Sequence, residues 1–174
     1  MPSKTQAFPK AGRFEIHSSP IFLLSQGNQT ELLIMRATMQ VRTGDAYVAG
    51  GKKRRVDVEV ADWVATGRSK MLGGKVEFRL SKDKRQPKSF VTAGTRKGNG
   101  DFPAQLRFGM RYDVNTPRGS VTGLTGVAKG PISAFPPKAG DMFNIQKDLK
   151  IGNLVVKPVA CACASEALVI SLPA

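Results

Sequence analysis

The chain contains a single histidine, His17, so any Ser-His-Asp arrangement would have to pass through it. It lies between a strand-like stretch and Ser18-Ser19-Pro20, and no Gly-x-Ser-x-Gly elbow or other nucleophile signature accompanies it. A surface or hydrogen-bonded histidine is expected rather than a general base. Asp57, Glu59 and Asp62 could supply paired carboxylates, yet Asp57 and Glu59 share a strand face with Arg55, close to Arg54 and two lysines. Cross-strand ion pairing accounts for them without acid–base work. Cys161 and Cys163 stand two apart; on a strand they point to one face, where a bond between them would be distorted. They read as small buried thiols, with a metal pair completed by His17 or a cross-subunit disulfide as the alternatives. Gly44 to Lys53 ends in Gly50-Gly51-Lys52-Lys53, without P-loop spacing and with no Ser or Thr after the lysine. No cofactor or metal is expected, and the chain reads as a non-enzyme.

Charge is the stronger signal. Of the 174 residues, 27 are Lys or Arg and 13 are Asp or Glu, a formal net charge of +14. Between Gly51 and Ser120 there are 17 basic and 7 acidic residues, so that stretch alone carries +10. Such a field attracts polyanions, nucleic acid first and then anionic lipid surfaces or an acidic protein. Phe78, Phe108 and Tyr112 fall on the apolar side of their strands, so no aromatic stacking platform is predicted. The candidate contacts to a polyanion are Arg36, Arg42, Lys52, Lys53, Arg54, Arg55, Lys82, Lys84, Arg85, Arg96, Lys97, Arg107 and Arg111, all sequence-tolerant phosphate binders.

The elements that would position these residues are short strands punctuated by 18 glycines and 11 prolines. Glu31 to Thr43 places Leu33, Met35, Ala37, Met39 and Val41 on one face; a helix capped by Asn28 is the competing reading, and the alternation favours strand. Ala104 to Val114 alternates most cleanly, with Ala104, Leu106, Phe108, Met110, Tyr112 and Val114 on one face. Arg55 to Val64 and Lys75 to Ser81 alternate likewise. Further strands are predicted at Arg13 to His17, Pro20 to Ser25, Lys88 to Ala93, Ser120 to Lys129, Met142 to Ile145, Leu154 to Ala160 and Ala167 to Leu172. The loops Gly50 to Arg54, Ser81 to Lys88, Gly94 to Asp101 and Asn115 to Gly119, rich in Gly, Lys and Arg, are expected to be exposed and mobile. A Pro-Lys-Ala-Gly turn leading into a Phe-x-Ile strand occurs twice, from Phe8 and from Phe135, as two similar turns and not as a long repeat.

About ten strands without a long helix imply an all-β antiparallel sandwich or barrel over 13–174, preceded by an extended arm over 1–12 that holds Pro2 and Pro9. The apolar runs are too short to span a membrane, and the start lacks the apolar region of a signal peptide, so cytoplasmic synthesis is expected, with possible incorporation into a virion or other assembly. From the β fold, the arm, the charge and the missing catalytic constellation, the sequence suggests a structural, self-assembling subunit of a coat, tube or filament, a homo-oligomer whose basic face meets nucleic acid or another polyanion. The alternative is a β-domain that binds nucleic acid or an acidic protein without assembling.

Overall fold

The computed structural model describes residues 7–50, 53–82, 85–94, 100–138, 141–146, 149–163 and 168–169. Its strands are β1 (Gly12–Gln26), β2 (Gln29–Ile34), β3 (Arg36–Thr43), β4 (Tyr47–Val48), β5 (Arg54–Ser69), β6 (Gly74–Leu80), β7 (Ser89–Thr92), β8 (Ala104–Thr116), β9 (Gly119–Ile132), β10 (Met142–Gln146), β11 (Leu149–Ile151), β12 (Leu154–Cys163) and β13 (Leu168–Val169). The protein is all-β, as the period-two alternation predicts. Antiparallel pairing runs β1–β3–β5–β6–β8–β9–β10–β12 and returns to β1, which closes a ring of eight strands into a barrel. Closure removes the sheet edges that an open sandwich would leave unpaired.

Alternation decides which side chains fill the barrel. On β1, Phe14, Ile16, Phe22 and Leu24 are buried, while Arg13, Glu15, His17 and Ser19 face outward and are half-buried or exposed. The faces assigned to Glu31–Thr43 and Ala104–Val114 hold: Leu33, Met35, Ala37, Met39 and Val41 are buried, as are Ala104, Leu106, Phe108 and Val114. Several boundaries differ: β5 runs past Val64 to Ser69, β9 reaches Ile132, and β4 and β11 fall outside the predicted strands. The stretch from Arg13 to Ser25 is one strand, because Pro20 falls where β1 leaves its ladder with β3 and takes up β2. Glu31 to Thr43 is two strands, broken at Met35, whose N–H donates to the Pro20 carbonyl at 2.9 Å.

From Ala7 onward the arm packs on its own chain; residues 1–6 lie outside the described residues. The Phe8 N–H donates to Asp101 Oδ2 at 2.7 Å, and its buried ring meets Phe102 edge-on at 5.3 Å. The two Pro-Lys-Ala-Gly neighbourhoods also meet, since Phe14 packs edge-on against Phe135 at 5.4 Å. These aromatic pairs close the barrel end at which β1, β5 and β8 begin.

The loops are less uniform than their composition predicts. Asp101 is 3% exposed and Ser81 is buried, because both satisfy backbone or charged partners inside the wall. Between β5 and β8 the wall is bridged by β6 at one end and β7 at the other, and side chains fill the interval. Gln86 accepts the Arg111 N–H at 2.8 Å and donates to the Ser81 and Arg111 carbonyls at 2.8 and 3.3 Å. Ser89 Oγ accepts the Gly109 N–H at 2.9 Å. Gly109 is required there, since a β-carbon on it would stand 2.8 Å from Pro87 Cβ.

Candidate functional site

The inward positions of all eight ring strands converge on one space. Ile16, Ser18, Pro20 and Phe22 come from β1, Met39 from β3, Trp63 from β5 and Phe78 from β6; Phe108, Met110 and Tyr112 come from β8. Gly126, Val127 and Ala128 of β9, Phe143 of β10 and Cys161 of β12 complete the lining. About 670 Å³ of atom-free space lies among them, counting what opens to solvent, and about 50 Å³ of it has room for the centre of a water-sized sphere. Roughly 10–15 Å³ of such room holds one water, so the cavity is small as it stands.

Aromatic rings dominate its wall. Six of the chain's twelve Phe, Trp and Tyr residues line it. Phe78 and Tyr112 are stacked at 5.6 Å and 16°; Trp63 meets Tyr112 at 5.7 Å and 81°, and Phe22 meets Phe78 at 5.2 Å. Phe108 and Phe143 form a second edge-to-face pair at 6.3 Å. Small residues on β9 make room for these rings: a β-carbon on Gly126 would press on Tyr112, and one on Gly130 would lie 2.6 Å from the Met142 carbonyl oxygen and 3.0 Å from Phe143 Cδ1.

Among the described residues, the lining contains no Asp, Glu, Lys, Arg or His. Its polar side-chain groups are the Ser18 and Tyr112 hydroxyls, the Cys161 thiol and the indole N–H of Trp63. Burial pushes the pKa of the Tyr112 phenol up. It does the same to the Cys161 thiol, partly offset by a hydrogen bond with Ser18. Cys163 is buried next to it, and burial, Cys161 and Asp141 together push its thiol up to about 12. Both cysteines are free. Among the described residues no cluster of His, Cys, Asp or Glu is placed to hold a metal ion.

His17 faces the outside. Glu15 Oε1 accepts from its Nε2 at 2.8 Å, and the Thr38 hydroxyl lies 3.5 Å from Nδ1. An open groove runs beside it, lined by Ser19, Arg36, Thr38 and Thr66 among others. A molecule held there would keep much of its water, so the interior cavity is the better-built site.

The predicted cationic residues spread over the outer surface from β3 to β8. Arg36 and Arg42 are exposed on β3, six residues apart or about 20 Å along a strand. Lys53, Lys82 and Arg85 are exposed in connecting segments. Arg54 is tied to Asp101 Oδ2 at 2.7 Å and lies over the Phe8 ring, and Arg55 stacks on Phe90 at 4.0 Å. Arg107 and Arg111 are half-buried on the outer face of β8, Arg107 opposite Lys129. Lys52, Lys84, Arg96 and Lys97 lie outside the described residues. Alternation in the sequence identifies the inward faces of β3, β6, β8 and the first part of β5, but not the cavity. Its only local signs are the alternating Gly126-x-Ala128-x-Gly130 on β9 and the aromatic residues at inward positions of separate strands.

No family model matches the chain, and no curated protein matches it. Its fold is similar to that of DynF from the dynemicin biosynthesis pathway of Micromonospora chersina: the TM-score is 0.61 over 92% of this chain and 82% of that one, at 15% identity. This likeness corrects the expectation of a self-assembling coat, tube or filament subunit, and with it the homo-oligomeric, capsid and nucleic-acid-binding readings, including the non-assembling alternative. The chain shares the fold of a biosynthesis protein. Net charge misled because solvated surface cations carry no information about the fold, and the arm misled because its packing partner lies on its own barrel.

Proposed function

We propose that this protein binds a small, largely apolar molecule inside its barrel. The observation that carries the reading is the convergence of side chains from all eight ring strands on one apolar, aromatic-walled cavity. Each Å² of apolar ligand surface buried there contributes about 25 cal/mol. Room for a ligand comes from Met39 and Met110, whose unbranched side chains change rotamer at low cost. The likeness to DynF supports the reading, since a biosynthesis pathway is a setting in which small organic molecules are carried or converted. Binding is favoured over catalysis, because among the described residues no carboxylate, amine, guanidinium or imidazole lines the cavity to move a proton.

Trp63 is the chain's one tryptophan and stands in the cavity wall, so its emission reports occupancy. Titration with N-phenylnaphthylamine should quench Trp63 emission by energy transfer in a saturable, one-to-one fashion. Met110→Trp, which fills the cavity, should abolish saturable probe binding. A folded protein that shows no saturable probe signal would refute the reading.

A further inference from the structure

We propose that the cavity selects an uncharged aromatic molecule bearing a hydrogen-bonding oxygen, which the Ser18 or the Tyr112 hydroxyl receives; this rests on the binding role proposed above. Charge is decided by what the wall lacks. No cation or anion lines the cavity, and a carboxylate or ammonium brought into it would lose its hydration with no counter-charge in return. The net charge of +14 does not change this, because none of the described cations lines the cavity. A fatty-acid anion is therefore a poor occupant, whereas a neutral ring is a good one.

Ring shape follows from the aromatic wall. The rings of Trp63, Phe78 and Tyr112 meet edge-on or stacked, and a flat aromatic guest can extend that pattern while an alkyl chain cannot. The oxygen follows from the polar atoms. Ser18 lies on β1, with Cys161 beside it on the neighbouring β12. Tyr112 lies on β8, four strands round the eight-strand ring from β1 and hence on the opposite wall. The Tyr112 hydroxyl takes part in none of the side-chain hydrogen bonds found among the described residues. It is not among the fully buried polar atoms left without a partner, so it keeps open surface at which a guest oxygen can bond to it.

The test uses the full chain at about 0.5 M salt, which shortens the screening length and suppresses binding of anions to the basic surface. Naphthol, naphthalene, naphthoate and dodecanoate each compete with bound N-phenylnaphthylamine, read through Trp63. Naphthol should displace the probe at a concentration at least about tenfold below naphthoate or dodecanoate. Ser18→Ala or Tyr112→Phe should weaken naphthol while leaving naphthalene unchanged. Equal or tighter binding of naphthoate or dodecanoate overturns the ligand class. So does an equal loss for naphthol and naphthalene in both variants. In either case retained probe binding leaves the cavity reading standing, whereas failure of the probe itself to bind removes both.

Discussion

Tyr112 lies against Gly126: a β-carbon built on that glycine would stand 3.2 Å from Tyr112 Cε1 and 3.9 Å from its hydroxyl oxygen. The absent side chain on β9 is what lets the Tyr112 ring reach the cavity and stack on Phe78. Gly126→Val should displace the ring, cost about 1 to 3 kcal/mol as an overpacked site, and weaken probe binding about tenfold or more. Urea unfolding and the Trp63 titration check the two effects. An unaltered affinity would mean that Tyr112 does not shape the site.

Gly130 is more tightly enclosed than Gly126, since the nearest atom to its missing β-carbon is the Met142 backbone oxygen rather than a movable side chain. Gly130→Ala should therefore force β10 away from β9 and destabilise the barrel by about 1 to 3 kcal/mol. Hydrogen exchange should quicken at Lys129 and Asn144, which pair across these strands. Wild-type stability would show that the backbone relaxes freely there.

Gln86 accepts the Arg111 N–H at 2.8 Å where neither β6 nor β7 reaches β8, while the Arg111 carbonyl accepts the Ser81 N–H at 2.9 Å as well as the longer bond from Gln86. Gln86→Leu keeps the side chain's bulk and removes the Gln86 bonds. Leaving a buried N–H unpaired should cost about 1 to 3 kcal/mol. Thermal unfolding measures the loss, and faster amide exchange at Arg111 would localise it. Unchanged exchange at that position would show that the Gln86 bonds do not hold the wall.

Asp101 joins the arm to the barrel, for its Oδ2 accepts from both the Phe8 N–H and Arg54 Nη1 at 2.7 Å. Asp101→Ala should leave a buried N–H unsatisfied and free the Arg54 side chain, at a cost of about 2 to 4 kcal/mol. Limited proteolysis should then cut within the arm at Lys10 well before the barrel is degraded. Equal cleavage rates in the variant and the parent would place the arm's anchorage in the Phe8–Phe102 contact alone.

Burial, Cys161 and Asp141 push the Cys163 thiol up to about 12. In the unfolded chain a thiol ionises near its ordinary value of about 8.5. Below that value both states hold the proton and the contribution to stability is fully present. Above it the unfolded chain ionises first, so stability falls as pH rises from about 9 towards 12. Urea midpoints should fall across this window, and Cys163→Ala should flatten part of the fall. Parallel slopes for the two proteins would assign the alkaline loss to other groups.

The sequence by itself determined which residues face inward, because alternation is a local property of the pleated backbone. Ala104 to Val114 on β8 and Leu33 to Val41 on β2 and β3 were legible for that reason. Where those faces lead was settled by pairings between distant parts of the chain. Ser18 pairs with Cys163 across β1 and β12, which closes the ring, and the Phe8 N–H finds Asp101 from 93 residues away. Strand periodicity is the same in a sandwich and in a barrel; only the stagger and closure of the ladder distinguish them, and these depend on long-range register. The cavity belongs to the same level, since its fifteen lining residues come from eight separate strands and meet only once the ring is closed. Net charge was fully legible as a number. It did not identify a partner, because most of those cations stand on the water-facing side, and Arg54 and Arg55 are engaged by the chain's own Asp101 and Phe90.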